Sequence, residues 1–507
     1  MSDHLSPAAR RLFLKQAGAL STLGAGAPLA MSLAAASAVA AASATDYRAL
    51  VCIFLQGGND AFNTVLATDD ASWSSYTAVR NQQPDSIALL RNATADRRTR
   101  VGSPAWLGGV LPISAAHAQA GRSFALHPML SDLQGLFTTS RRLAVLANVG
   151  PLVEPLTKAS YQNSQARKPK KLFSHNDQQS TWMALAPEGA AVGWGGRLAD
   201  AMGSGNGASL FTAMSASGDS VWLNGQTVRQ YQVSPAGPIR LGTESDSKGI
   251  GRVYGSDVVG AALERILVGT RDHHVMAADL ASVARRSQQA ERILSAALPS
   301  AALVPYGPAS ALQYTTVAGG RANNPLAQQL QIVARTIAAQ GALGVKRQVF
   351  FVSMGGFDTH NDQNRSHSDL MARLNHGLKY FDSALVAMGV ASQVTTFTAS
   401  DFGRTFTSNG DGSDHGWGAH HLVIGGSVQG GDVYGSFPVL AKKNRRDNEF
   451  DASPDQINNG ILLPKVSVDQ YGAVLGKWFG LSQGQLTDVF QNLPNFSGQD
   501  ALNFMKA

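Results

Sequence analysis

The sequence predicts an α/β fold with a mainly parallel central sheet. Two observations predict it. Short apolar runs recur at residues 48–55, 143–149, 347–353 and 393–398, and runs of that length suit strands buried on both faces. The runs at 48–55, 347–353 and 393–398 are each followed at once by glycine, carboxylate or imidazole: Gly57-Gly58-Asn59-Asp60, Gly355-Gly356-Phe357-Asp358-Thr359-His360, and Ser400-Asp401-Phe402-Gly403-Arg404. In a right-handed parallel sheet, strand C-termini share one edge, where α/β proteins gather their chemistry.

Taken in order, the run at 48–55 is the first buried strand. Residues 73–123 read as mixed and turn-rich. His127-Pro128 opens a predicted helix reaching Arg141, with Met129, Leu130, Leu133, Leu136 and Phe137 at helical spacing. The run at 143–149 completes a strand–crossover–strand unit. Residues 151–325 read as an insertion or cap within a single domain spanning 45–507, with a long helix over 272–298 and no solenoid repeat. A helix over 325–340, the strand at 347–353, a helix over 368–388 and the strand at 393–398 then form two consecutive helix–strand units, each delivering ligand-type side chains to a strand end.

The N-terminus reads as an export signal. Ala9-Arg10-Arg11-Leu12-Phe13-Leu14-Lys15 fits the twin-arginine pattern. A mildly apolar stretch and Ala42-Ser43-Ala44 follow, so residues 1–44 are the expected signal and Thr45 the expected mature start. The competing reading, an uncleaved anchor, sits poorly with Gly24, Gly26 and Pro28 in that stretch. No other segment approaches the roughly 20 apolar residues of a membrane span. The expected location is therefore the periplasm or beyond, with the twin-arginine translocase as a transient partner. Net charge is +7; removing Arg10, Arg11, Lys15 and Asp3 leaves +5. That suits an anionic substrate, and no basic helix or aromatic–basic alternation points to nucleic acid. The densest basic run, Arg167-Lys168-Pro169-Lys170-Lys171, reads either as a solvated loop or as an anion-steering one. The single cysteine, Cys52, excludes an intramolecular disulfide.

Asp358 and His360, two residues apart, can meet one metal ion. In Asp414-His415-Gly416 the aspartate can coordinate or orient the ring. His420 and His421 point opposite ways in an extended chain, so one of them can face a site. Arg404 can clamp an oxyanion or neutralise carboxylates. Ser174, in Ser174-His175-Asn176-Asp177, reads equally as a metal-activated nucleophile or as a helix cap.

Thr398-Ala399-Ser400-Asp401-Phe402-Gly403 resembles the segment around the metal-binding Ser-Asp-His-Gly or Ser-Asp-Asn-Gly motif of sulfatases and alkaline phosphatase relatives, and Asp60 resembles their early metal-binding aspartate. More closely, the Gly57–Asp60, Ser174–Asp177, Gly356–His360, Ser400–Thr405 and Asp414–Gly418 motifs together resemble the twin-arginine-exported DUF1501 family, over nearly all the mature chain. The resemblance implies an alkaline phosphatase-like three-layer sandwich. It also implies metal-dependent hydrolysis or transfer of phosphate or sulfate esters, on a small molecule or a polymer. Asp60, Asp358, His360, Asp401, Asp414, His415 and His420 become the expected metal ligands or their immediate support, and Ser174, His175 and Arg404 the expected catalytic groups. Zinc suits this mixed set best, with manganese, iron, magnesium or calcium as alternatives. Phe402 stands where relatives carry His or Asn, so that ligand has to come from elsewhere, with His415 the candidate. No Cys-x-Pro-x-Arg motif appears, which argues against formylglycine chemistry. The competing class is a periplasmic binding or assembly protein keeping a degenerate site.

Overall fold

The computed structural model describes residues 46–119, 121–207, 209–242, 251–269, 274–445, 447–497 and 502–506. The expected signal at 1–44 lies outside them. Among the described residues, no helix is long and apolar enough to cross a membrane.

A central sheet organises the chain. Its strands are β1 (Arg48–Leu55), β2 (Leu143–Gly150), β3 (Ala213–Ser215), β4 (Tyr231–Ser234), β5 (Gly237–Pro238), β6 (Arg347–Met354), β7 (Val394–Ser400), β8 (Ala419–Gly425), β9 (Asp432–Tyr434) and β10 (Val466–Ser467). The spatial order is β9-β2-β8-β7-β1-β6-β3-β4-β5, with β10 also on β2. β8 runs antiparallel to both neighbours and β5 antiparallel to β4; every other pairing is parallel.

Alternation along β1 explains the layering. Ala49, Val51, Ile53 and Leu55 join one core, which helices α2 (Pro325–Ala338) and α3 (Gln363–Ala387) enter through Leu330, Val333, Met371, Leu374 and Leu378. Leu50, Cys52 and Phe54 join the other core, with Leu198 of helix Trp194–Met202 and Tyr471 and Leu475 of helix α4 (Val468–Phe479). Successive strand residues point to opposite faces, so a run that is apolar throughout needs helices on both sides.

The expected insertion at 151–325 enters the sheet. It contributes β3, β4 and β5, and helix α1 (His175–Ala184), whose first residue is a site residue. The expected long helix there is Val275–Ala297. The helix predicted from His127 is shorter, Ser131–Thr138, because His127 is buried instead, its Nδ1 accepting from the Met129 N–H.

At the working edge, Leu55 of β1 lies level with Met354 of β6 and Ser400 of β7. The following loops touch. Gly57 and Gly58 hold φ of 114° and 90°. A Cβ on Gly57 would meet the Asp358 backbone at 2.4 Å, and one on Gly58 the Phe402 ring at 2.4 Å. Glycine here is what lets the three loops close on each other.

Candidate metal centre

The centre is assembled by three segments. The loop after β6 brings Asp358 and His360. The hairpin Arg404–Ser408/Ser413–His415, which follows β7, brings His415 opposite Arg404. The N-terminus of α1 brings His175. Ligand atoms from His175, Asp358 and His415 lie within 4.8 Å of one another. His360 Nε2 lies 3.0 Å from Asp358 Oδ1 and 3.1 Å from His415 Nε2, and His415 Nε2 lies 3.3 Å from that same oxygen. His175 Nε2 is 3.5 Å from Asp358 Oδ2. Donors held about 2.0–2.2 Å from one tetrahedral Zn²⁺ are separated by roughly 3.3 Å, close to these four separations.

The other ring nitrogens determine which atoms face inward. His415 Nδ1 lies 2.9 Å from the Phe173 carbonyl, His175 Nδ1 2.7 Å from Asp401 Oδ2, and His360 Nδ1 3.2 Å from Asp414 Oδ1. A carbonyl or carboxylate can only accept, so the tautomer with its proton on Nδ1 satisfies each of these contacts and leaves Nε2 available to an ion at the centre. Two Nε2 lone pairs 3.1 Å apart repel unless a proton or a cation lies between them. This donor set fits a divalent ion: three imidazoles and a carboxylate, each imidazole oriented from behind.

The surroundings fix the charges. Asp358 is 43% exposed and Arg404 is fully buried. Arg404 Nη1 donates to Asp358 Oδ1 at 2.7 Å and to the Gly57 carbonyl at 3.2 Å; its Nη2 donates to the Ser413 carbonyl. Burial pushes the Asp358 carboxyl up, but the Arg404 hydrogen bond and charge outweigh it and hold the group below the ordinary value. The Asp401 hydrogen bond raises His175, and burial lowers His415. Phe402 packs on both rings, 4.8 Å from His175 and 4.7 Å from His415. It stands where a ligand was expected and braces two ligand rings instead.

Several expected site residues lie elsewhere. Asp60 is fully buried, but its carboxylate accepts from Arg80 at 3.0 and 2.5 Å, from Gln363 Nε2 at 2.6 Å and from the Phe62 N–H at 3.1 Å. Those donors occupy it, so it stands behind the centre rather than in it. Asp401 and Asp414 hold histidines, and Gln179 Nε2 also donates to Asp401 at 2.8 Å. His420 is buried, stacked on Phe437 at 4.5 Å, with Nδ1 accepting from the Asn148 N–H. The Ser174 hydroxyl donates to Asp177 Oδ2 at 3.0 Å. Ser174 holds the N-cap position of α1 without a capping bond. His175, expected to be catalytic, turns its Nε2 toward Asp358. Phe173 was missed: its role is a backbone carbonyl, at φ 71°, and side-chain chemistry carries no signal for that.

Residues 47–490 match the family described as "Protein of unknown function (DUF1501)". The chain belongs to the DUF1501 family. No curated protein matches it. Among solved structures it is similar to a chain from work on the metabolism of multiple glycosaminoglycans by Bacteroides thetaiotaomicron, with 12% identity, TM-score 0.27, and coverage of 76% of this chain and 69% of that one. It is also similar to Ps i-CgsB, in complex with k-i-k-neocarrahexaose (9% identity, TM-score 0.30) and without it (10%, 0.31), both over 89% of this chain and 77% of the other. All three TM-scores are below 0.5, so the chemistry of this DUF1501 member rests on its own atoms.

Proposed function

We propose that the chain is an exported, metal-dependent hydrolase of phosphate or sulfate esters. The observation that carries this reading is the convergence of three Nε2 atoms and Asp358 at an open sheet edge, with every Nδ1 held by an acceptor. A divalent ion there supplies Lewis-acid polarisation of an ester oxygen and a water acidic enough to attack near neutral pH. The chain's own residues hold and aim. His175, Asp358, His360 and His415 bind the ion; Asp401, Asp414 and the Phe173 carbonyl keep the rings in the binding tautomer. Arg404 offsets the charge of Asp358. The exposed Lys170 and Lys171 lie on the segment that leads to Phe173, where they attract an anionic ester. Because Asp177 engages the Ser174 hydroxyl, this reading takes water as the nucleophile.

Phe402 and the engaged Ser174 favour a second reading, a binding or assembly protein that holds the same ion structurally. Turnover separates the two. Purified protein supplemented with zinc or manganese is assayed on aryl phosphate and aryl sulfate, with and without a chelator. The hydrolase reading expects metal-dependent release of the phenol from one of them. Metal-loaded protein inert on both moves the assignment to the second reading.

A further inference from the structure

Away from the metal centre, exposed apolar surface is concentrated in one segment. Of the 17 large apolar side chains exposed among the described residues, 13 lie between residues 239 and 304. Isolated exposed apolar residues are ordinary, but a group of them marks a surface that a partner covers. The first half of helix Val275–Ala297 carries the most regular part of this group. Met276, Leu280, Val283, Ala290 and Leu294 are spaced four, three, seven and four residues apart, which sets them on one side of the helix. Along that side exposure falls from 78% at Met276 to 42% at Val283 and to 0% at Leu294. Ala290 and Leu294 sit in the core that α2 and α3 enter. That end is also pinned: Arg240 pairs with Glu291 at 2.5 Å and donates to Ser295 at 2.9 Å. One apolar stripe therefore runs out of the core into solvent, and its outer three members are uncovered.

The charges beside the stripe select the partner. This helix and its neighbour Asp257–Val268, to which Arg285 and Gln288 tie it, carry four acidic and four basic side chains between them. That balance does not suit an anionic membrane, which takes helices rich in Lys and Arg. It suits a copy of itself. Asp279 and Arg286 are exposed and unpaired among the described residues. Each precedes a stripe position, Leu280 or Ser287, by one residue, so both lie on the same flank. When two copies of the stripe run antiparallel with Leu280 level with Val283 of the second copy, Met276 meets Ser287, a large side chain over a small one. On the flank, Asp279 of each copy then lies about 3 Å along the axis from Arg286 of the other, and the two-fold axis satisfies both pairs at once. Ala290 of one copy falls beyond Val275 of the other, so the buried end of each helix stays clear of its partner helix.

We propose that the chain forms a two-fold dimer by antiparallel pairing of its Met276–Ser287 stripe with that of a second copy. The dimer is independent of the hydrolase reading. Three large side chains a copy are few beside the roughly 20–30 residues a side of a standard interface, so the association is reversible. Sedimentation equilibrium of the purified, metal-loaded protein tests it over roughly 1–300 μM. Leu280→Asp puts charge into the apolar layers without touching the buried end of the helix. Asp279→Arg and Arg286→Asp each set like charges against each other, and the two together restore opposite ones. The expected result is a reversible wild-type dimer that Leu280→Asp abolishes. Each single charge variant should raise the dissociation constant roughly tenfold, and the double variant should bring it back to within about threefold. Metal content, and Tm at the dilute end of the range, should not move. A wild type monomeric throughout would overturn the proposal. With phosphatidylglycerol vesicles bound through Leu280 the stripe would then be a membrane surface, and with a lowered Tm in Leu280→Asp it would be covered by another part of the same chain. A dimer indifferent to Leu280→Asp, or single charge variants that the double variant fails to rescue, would overturn it too.

Discussion

Asp60 and His415 show how two residues that read alike in sequence can carry opposite roles. Asp60 follows a strand, His415 ends one, and both look like ligands in the sequence. His415 turns Nε2 to the centre while a carbonyl engages Nδ1. Asp60 spends its oxygens on Arg80 and Gln363, with both members of the ion pair fully buried. Asp60→Asn should therefore cost stability, on the order of 3 kcal/mol from an unpaired buried guanidinium, and leave bound metal unchanged. His415→Ala should do the reverse, keeping Tm close to wild type while metal is lost. Metal content and thermal unfolding on the two variants check both halves. Asp401 makes a subtler case. It sits behind His175 rather than in the centre, and Asp401→Asn replaces the charged acceptor that fixes the ring with a neutral amide. A drop in metal affinity of roughly 10–100-fold is expected, measured by competition against a chromophoric chelator; unchanged affinity would remove Asp401 from the support.

Among the elements, β8 is the one whose sequence misleads. Trp417-Gly418-Ala419-His420-His421 lacks an apolar run, yet Ala419–Gly425 is a fully buried central strand. Its two histidines do point opposite ways, His420 against Phe437 and His421 against Trp182 at 5.1 Å. Burial lowers both to about 3. They are neutral when folded, while an unfolded imidazole takes up a proton below about 6.5. The unfolded state then binds more protons between those values, so their contribution to stability is complete above pH 6.5 and is lost as pH falls toward 3. His127 and His367, also buried and lowered, act with the same sign. Urea midpoints measured from pH 7 to pH 4 should fall with acidity, and the fall should be shallower in His420→Gln. An equally steep fall would shift the effect to the other buried groups. α1 is marked in sequence only by the cap reading of Ser174. No apolar stripe marks it, because its task is to deliver His175 at its first turn.

Across the whole molecule, the legible part was the part that physics repeats. β1, β2, β6 and β7 are buried on both faces and so read as apolar runs, and the shared edge of β1, β6 and β7 follows from parallel pairing. The gathering of Asp358, His360 and His415 at that edge could be anticipated for the same reason. The rest depended on long-range contacts without local signature. β3, β4 and β5 are two to four residues long, too short for any period. Arg80, which claims Asp60, comes from helix Asp70–Arg80 in a stretch that reads as turns. Location belongs to this scale as well. Replacing Arg10 and Arg11 with lysine should leave precursor in the cytoplasm, and undiminished periplasmic yield of that variant would refute twin-arginine export.

The claim on which the functional account turns is that His175, Asp358, His360 and His415 hold one divalent ion. X-ray absorption spectroscopy at the edge of the bound metal tests it most directly. The account predicts a single nitrogen/oxygen shell at about 2.0–2.2 Å, with outer-shell scattering from three imidazoles. A shell of oxygen donors without imidazole scattering would contradict it.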